Sequence, residues 1–259
     1  MKVLVTFAVA SEFAPWRARH GFSPSRQEPQ AGGGRCTSYD GSVGQVAVRV
    51  VLTGVGGQNA ALRLHHSFRD AVDLCVSSGL AGGLNPSCRV GDVVVARCTS
   101  LRGTATNVAS DAYLVSAAAQ CGAKPVSRFV TVEKIVTASK QKEVMATSGD
   151  AVEMESYFVL KAAAFARVPA VAIRAISDAA EEDLPMDFSR VLDSQGHVAM
   201  RKLLAEVARE PRRIPSLIRF GARSRRAAQS LADFLDRYLS SLDHDWKNAE
   251  SMKLREAAV

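Results

Sequence analysis

The sequence predicts an α/β fold: a three-layer α/β/α domain around a central mixed sheet, extended by C-terminal helices. Strand-like and helical segments alternate over residues 1–190. Glycine-rich turns stand at the ends of several strand-like segments, where α/β sheets gather their ligands. From residue 191 the spacing turns helical to about residue 242, with breaks at Pro211 and Pro215. The expected organisation is a domain over 1–190 that carries the motifs, a helical extension over 191–245 packed on it, and a polar, unstructured tail over 246–259.

Residues 3–9 are Val-rich and apolar and read as a first buried strand. Residues 24–42 are rich in Pro, Gly and Ser and read as a loop centred on Gly32-Gly33-Gly34. Residues 45–52 alternate as a strand, and Gly54-Val55-Gly56-Gly57 then turns into a helix to about Phe68. A short strand over 72–77 leads into Gly79-Leu80-Ala81-Gly82-Gly83, and Gly91-Asp92 introduces a strand over 90–96. Residues 111–122 and 140–147 read as helices, with an extended stretch over 126–136 between them. A strand end at 151–154 feeds a helix over 156–167, and a strand over 168–175 delivers Ser177-Asp178.

The 259 residues are 47% hydrophobic and 23% charged, which suits a folded globular chain rather than a fibrous or disordered one. No apolar run approaches the roughly 20 residues that span a bilayer. Ser11-Glu12 follows the first apolar stretch at once and no strong basic cluster precedes it, so that stretch reads as a strand rather than a secretion signal. A cytoplasmic location is expected. The five cysteines are odd in number and show no CxxC spacing, which argues for reduced thiols rather than disulfides or zinc. The net charge of +7 is local: residues 201–226 hold nine Lys and Arg against two Glu.

The turn Thr53-Gly54-Val55-Gly56-Gly57 can present backbone N–H groups to an anion or a sugar hydroxyl. It matches neither GxGxxG nor a P-loop, so a dinucleotide or nucleoside-triphosphate site is disfavoured. Gly79, Ala81 and Gly82 follow a buried strand and let backbone approach a ligand closely. Val152-Glu153-Met154-Glu155 brings two carboxylates to one side of an extended segment; acids in the first turn of a helix, or a simple surface pair, are the plain alternatives. Arg174-Ala175-Ile176-Ser177-Asp178 ends a strand with an acid, either as a helix N-cap or as a proton donor. Glu12 stands just beyond the first strand.

Taken in order, Glu12, Thr53-Gly54-Val55-Gly56, Gly79-Leu80-Ala81-Gly82-Gly83, Val90-Gly91-Asp92, Val152-Glu153-Met154-Glu155 and Ser177-Asp178-Ala179-Ala180 resemble the purine nucleoside phosphorylase / uridine phosphorylase superfamily, and within it the methylthioadenosine / S-adenosylhomocysteine nucleosidase branch. The resemblance implies cleavage of the N-glycosidic bond of a purine nucleoside with no metal or organic cofactor. It assigns catalysis to Asp178, on the departing base, and to Glu12, on water. It assigns substrate binding to Ser177, Glu153, Met154 and Glu155, with Gly79, Ala81, Gly82, Thr53 and Gly54 lining the site. Two departures bear on the base pocket: Leu80 replaces a small polar residue, and no aromatic stands near Ile135, which leaves Phe13 and Phe158 as candidate base-stacking rings.

Pro185-Met186-Asp187-Phe188, Gly196-His197-Val198 and residues 209–217 are similar to the hopanoid-associated phosphorylase branch. That likeness implies an alternative, phosphorolysis of the lipid nucleoside adenosylhopane, and peripheral membrane contact through residues 209–226. A solvated basic face is the plainer reading of that segment, since Leu231, Leu235, Tyr238 and Leu242 offer a packing stripe. Few aromatics interleave with the arginines, so nucleic acid is not expected. The five histidines form no triad motif and read as structural. Water and phosphate both stand as nucleophiles, a homo-oligomer is expected from the family, and a non-catalytic nucleoside-binding protein is the remaining alternative.

Overall fold

A computed structural model describes residues 1–25, 37–64, 67–68, 71–191, 201–202, 205 and 209–256. Gly32-Gly33-Gly34, Cys36, His65-His66 and Gly196-His197-Val198 lie outside the described residues.

The chain runs β1 (Lys2–Phe7), α1 (Ala10–Arg17), β2 (Ser23–Pro24), β3 (Thr37–Val43), β4 (Val46–Leu52), α2 (Gly57–Leu64), β5 (Leu74–Ser77) and β6 (Leu80–Gly83). It continues with β7 (Val93–Leu101), β8 (Asn107–Ala109), α3 (Ala112–Gln120), β9 (Lys124–Thr131), α4 (Ser139–Met145), β10 (Ala151–Glu153), α5 (Ser156–Phe165) and β11 (Ala170–Asp178). Phe188–Val191 and Pro211–Arg213 are 3-10 turns, and a final helix, α6, spans Ile214–Glu256.

The strands form one mixed sheet in the order β2-β3-β4-β1-β5-β11-β6-β10-β9-β7-β8, and β11 also pairs with β7. The strands β11, β6, β10, β9 and β7 therefore close a circuit on themselves, so that half of the sheet curls while the other half stays open. The fold expected from the sequence, helices on both faces of a mixed sheet, is the one observed.

Strand alternation sorts the core into two layers. On one face, Val3, Val5 and Phe7 of β1 and Val171, Ile173 and Ala175 of β11 pack with α1, α3 and α6. On the other, Leu4, Ala170, Ala172 and Ile176 pack with α2 and α5. The same period of two carries Arg174 to the α5 side of β11. A register shift between Ile176 and Asp178 ends that alternation and re-aims the last residue of the strand.

Several elements differ from the sequence expectation. The loop expected over 24–42 contains β3, a full antiparallel partner of β4 from Thr37↔Leu52 to Val43↔Val46. Its Thr-Ser-Tyr-Asp-Gly-Ser-Val composition reads as turn, and long-range pairing with β4 overrides it. The glycine turn at 79–83 is in part a strand, β6, paired to both β11 and β10. The extended stretch expected over 126–136 leaves the sheet after Thr131. Helix α1, with Pro15 inside it, follows β1 where no helix was expected. Pro211 opens a 3-10 turn and Pro215 is the second residue of α6, so both start helices rather than interrupt one. After Gly221 no Pro or Gly breaks the chain, and helical backbone runs through 246–256, where the sequence reading places an unstructured tail.

The expected stripe on α6 is buried: Leu231, Leu235, Tyr238 and Leu242 are at most 3% exposed. Tyr238 donates its hydroxyl to the Leu114 carbonyl at 3.0 Å, and Trp16 Nε1 donates to Asp236 at 2.6 Å. His20 shares that aspartate at 2.7 Å, a structural role. The four described cysteines, Cys75, Cys88, Cys98 and Cys121, are free. Among the described residues no helix is long and apolar enough to cross a membrane.

Candidate active site

Three of the candidate residues, Glu12, Glu153 and Glu155, gather around Arg174. This arginine is 1% exposed, in a strand that is otherwise apolar over most of its length. An arginine so deep has to be paired. Its Nη2 donates to Glu153 Oε2 at 2.7 Å and lies 3.4 Å from Ser77 Oγ and 3.9 Å from Glu155 Oε2. Its Nη1 donates to the Ile173 carbonyl at 3.1 Å. Its Nε, like the hydroxyl of buried Ser78, has no protein partner.

Glu153 is committed to the protein. Oε2 accepts from the backbone N–H groups of Glu155 and Ser156 at 3.0 and 2.7 Å as well as from Arg174, and Oε1 accepts from Thr131 Oγ1. A carboxylate at the N-terminus of α5 satisfies otherwise unpaired amides and complements the helix dipole. The acid-at-a-helix-start explanation therefore holds for this residue, which fixes Arg174 in place. Glu155 is different. Its Oε1 accepts from Gly56 N at 2.9 Å, and burial, reinforced by the charge of Glu153 and opposed by Arg174, pushes its carboxyl up to about 8. Met154, between them, is half-buried and packs beside Val132, Val136 and Met145.

Glu12 faces this group from α1. Its carboxylate accepts from the backbone N–H groups of Ala8, Val9 and Leu80 at 3.1, 3.4 and 3.1 Å. Burial raises its pKa, against the pull of Arg174 and those three amides. The approach needs Gly79: with φ at +146°, a Cβ there would sit 3.1 Å from Glu12 Oε2.

Asp178 ends β11, beside Gly82 of β6. Its Oδ1 accepts from Ser177 Oγ at 2.6 Å and its Oδ2 from Lys142 Nζ at 2.5 Å. A Cβ on Gly82 would lie 2.9 Å from Oδ2, so glycine is what lets β6 run beside this carboxylate. No helix starts at Asp178, which removes the N-cap explanation. The Ala81 carbonyl lies 3.2 Å from Ser177 Oγ.

Thr53 and Gly54 spend their polar groups on the fold. Thr53 Oγ1 lies 3.3 Å from the Phe7 carbonyl, and Gly54 N donates to the Ala8 carbonyl at 2.9 Å. The acceptor that the glycine turn does hold is internal, the Glu155 carboxyl on Gly56. Phe13 is 1% exposed within an aromatic cluster of Phe7, Trp16, Phe22 and Tyr39, so it is core and no platform for a base. Phe158 is half-buried with its ring against Gly57.

Sequence reasoning missed the parts played by Arg174, Lys142 and Thr131. A lone arginine within an apolar strand was a readable signal for the first. Lys142, in Ser139–Met145, looks like any helix lysine.

A cavity of about 990 Å³ opens from Glu12 and Leu80 and runs between α1 and α6. Phe188, Leu217, Ile218 and Phe220 give it a largely apolar wall, and neither Asp178 nor Glu155 lines it. Ile218 is 67% exposed at its rim. Arg212, Arg219, Arg225 and Arg226 of the basic segment are exposed, while Arg223 pairs with Glu182 at 2.5 Å.

A family model described as "Phosphorylase superfamily" matches residues 3–209. Among solved structures, the chain is similar to 5′-methylthioadenosine/S-adenosylhomocysteine nucleosidase from Neisseria meningitidis in complex with methylthio-immucillin-A, with a TM-score of 0.70 and 23% identity over 93% of this chain and 99% of that one. A mutant futalosine hydrolase of Helicobacter pylori gives 0.68 and 19%, over 93% and 99%. The Campylobacter jejuni 5′-methylthioadenosine/S-adenosyl homocysteine nucleosidase gives 0.68 and 16%, over 92% and 98%.

Proposed function

Because this chain belongs to the phosphorylase superfamily, we propose that it cleaves the N-glycosidic bond of a purine nucleoside, with water as the nucleophile. The observation that carries the choice of water is charge: two carboxylates, Glu12 and Glu153, face a single guanidinium, Arg174, with the Glu155 carboxyl beside them. A phosphate dianion entering that cluster meets more negative than positive charge, whereas water is neutral. Glu12, held by three amides and made more basic by burial, takes the proton of the attacking water. Glu155, protonated for much of the time at neutral pH, both donates to and accepts from the ribose hydroxyls, and Met154 packs against the sugar. As the bond breaks, the sugar gains positive charge that the carboxylates stabilise, while Asp178 and Ser177 meet the departing base.

The test is adenine release from methylthioadenosine and S-adenosylhomocysteine, with and without phosphate. Release that is independent of phosphate is expected. Release that requires phosphate and yields a sugar phosphate would overturn the choice of water. Tight adenosine binding without turnover would favour a binding protein on the same fold.

The apolar cavity favours a second reading, in which the 5′ substituent is a large apolar group such as that of adenosylhopane. Exposed Ile218 among the basic residues of 209–226 fits delivery from an anionic membrane surface. Adenosylhopane in detergent competes with methylthioadenosine in the same assay if that reading holds, and leaves its rate unchanged if it does not.

A further inference from the structure

Lys142 lies on α4 with no exposed surface, at the foot of Asp178. Its ammonium has three hydrogens and three oxygens to meet them: Asp178 Oδ2 at 2.5 Å, the Ala179 carbonyl at 2.7 Å and the Glu182 carbonyl at 2.9 Å. Packing alone does not ask for this residue, since an apolar side chain would fill the same space without the cost of burying a charge. Asp178 meanwhile accepts at both oxygens, from Lys142 and from Ser177. A carboxylate that accepts at both oxygens has no proton of its own to give, yet the reaction proposed above needs one there.

We propose that Lys142 and Asp178 share one transferable proton, and that Lys142 is the positioning residue that supplies it to the acid. The inference rests on the N-glycosidic reading of the site. With the site open, the proton stays on Lys142 Nζ and Asp178 is a carboxylate. A bound base excludes water, and a buried pair then costs less as a neutral amine and a neutral carboxylic acid than as two ions. When the C1′–N9 bond breaks, its electron pair goes to the base, and a ring nitrogen of the base takes the proton from the Asp178 carboxyl. Asp178 is left as a carboxylate and Lys142 as a neutral amine, which solvent reprotonates once the base departs. The charged groups around the pair are Lys140 and Asp183 beside α4 and Glu182 with its partner Arg223 from α6. The Asp183 carboxylate is held by Ser139 N at 2.7 Å and the Glu182 carboxylate by Arg223, so neither carboxylate is within the chain of hydrogen bonds that links Lys142 to Asp178.

The experiment compares two leaving groups in the full-length protein. A purine needs a proton to depart; p-nitrophenolate, from p-nitrophenyl β-riboside, does not. Lys142→Met is expected to lose about 100-fold or more in kcat on the purine nucleoside, within the usual worth of a general acid. Its KM should change little, and it should cleave the nitrophenyl riboside within a few-fold of the parent. Lys142→Gln keeps a donor for the Ala179 and Glu182 carbonyls and should show the same split if the methionine variant fails to fold. Equal losses on both substrates, or no loss on the purine, would overturn the proposal. A parent protein that cleaves neither substrate would instead overturn the reading of the site on which it rests.

Discussion

Replacing Glu155 with glutamine should flatten the dependence of stability on pH. In the unfolded chain this carboxyl ionises near 4.5; in the folded protein, burial and the neighbouring charge of Glu153 hold the proton on up to about 8, against the opposing pull of Arg174. A carboxyl raised in this way contributes its full stability below pH 4.5, where both states are protonated. That contribution is lost as the pH climbs from 4.5 through about 8, because the unfolded chain ionises freely and the native one cannot. At about 1.4 kcal/mol per pH unit the gap sets a ceiling of about 5 kcal/mol. Part of that ceiling belongs to the buried cluster as a whole rather than to Glu155 alone, so about 2–3 kcal/mol is the expected effect of the single substitution. Glutamine keeps a carbonyl oxygen for the Gly56 N–H now 2.9 Å from Oε1, so the turn stays supported. Urea unfolding at intervals from pH 5 to 9, followed by circular dichroism, measures the difference directly. The parent should lose stability relative to the variant as pH rises, and the variant should overtake it on the alkaline side. Parallel profiles would refute the assignment of a raised pKa to this residue.

Two further substitutions probe the frame of the site. Glu12→Gln keeps the size of the side chain but removes the base, so hydrolysis should fall about 10²–10⁴-fold; its NH2 cannot accept from the backbone amides that one carboxylate oxygen now serves, so about 1–3 kcal/mol of stability should be lost as well, and an undiminished rate would remove Glu12 from the reaction. Gly57→Ala would place a Cβ 2.0 Å from the Phe158 ring, and about 1–3 kcal/mol of stability should be lost in thermal unfolding; Phe158→Ala in the same chain should recover part of it.

Much of this fold was legible because local pattern and long-range structure agree. The Val-rich stretches became β1, β4, β5 and β11, and the helical stripe on α6 is the one that is buried. Where they conflict, the sequence misleads. Thr37–Val43 carries turn chemistry and becomes a strand because β4 offers seven pairing partners. Leu80–Gly83 looks like a loop because it is glycine-rich, yet Gly82 lets a strand pass beside Asp178, as Gly79 just before it admits Glu12. Within the site, order along the chain brought Glu12, Glu155 and Asp178 to notice together. It could not show that Glu153 is consumed by the start of α5, that Phe13 belongs to the core, or that Lys142 is dry. Burial is a property of the neighbours, and the neighbours of Lys142 are 36 or more residues away.

The closed circuit of strands also sets a timetable for the chain. β11 borders β5, β6 and β7, yet among the described residues it is the last strand in sequence. Until residue 178 has left the ribosome, β5, β6 and β7 each lack a partner and keep unpaired backbone edges, the kind of surface on which partly made chains associate. Closing the circuit then joins segments about 80 to 100 residues apart, a slow step by the loop entropy it must overcome. The strand that delivers Arg174 and Asp178 is thus the one whose arrival completes the sheet, so the guanidinium that pairs with Glu153 arrives together with the sheet that buries it.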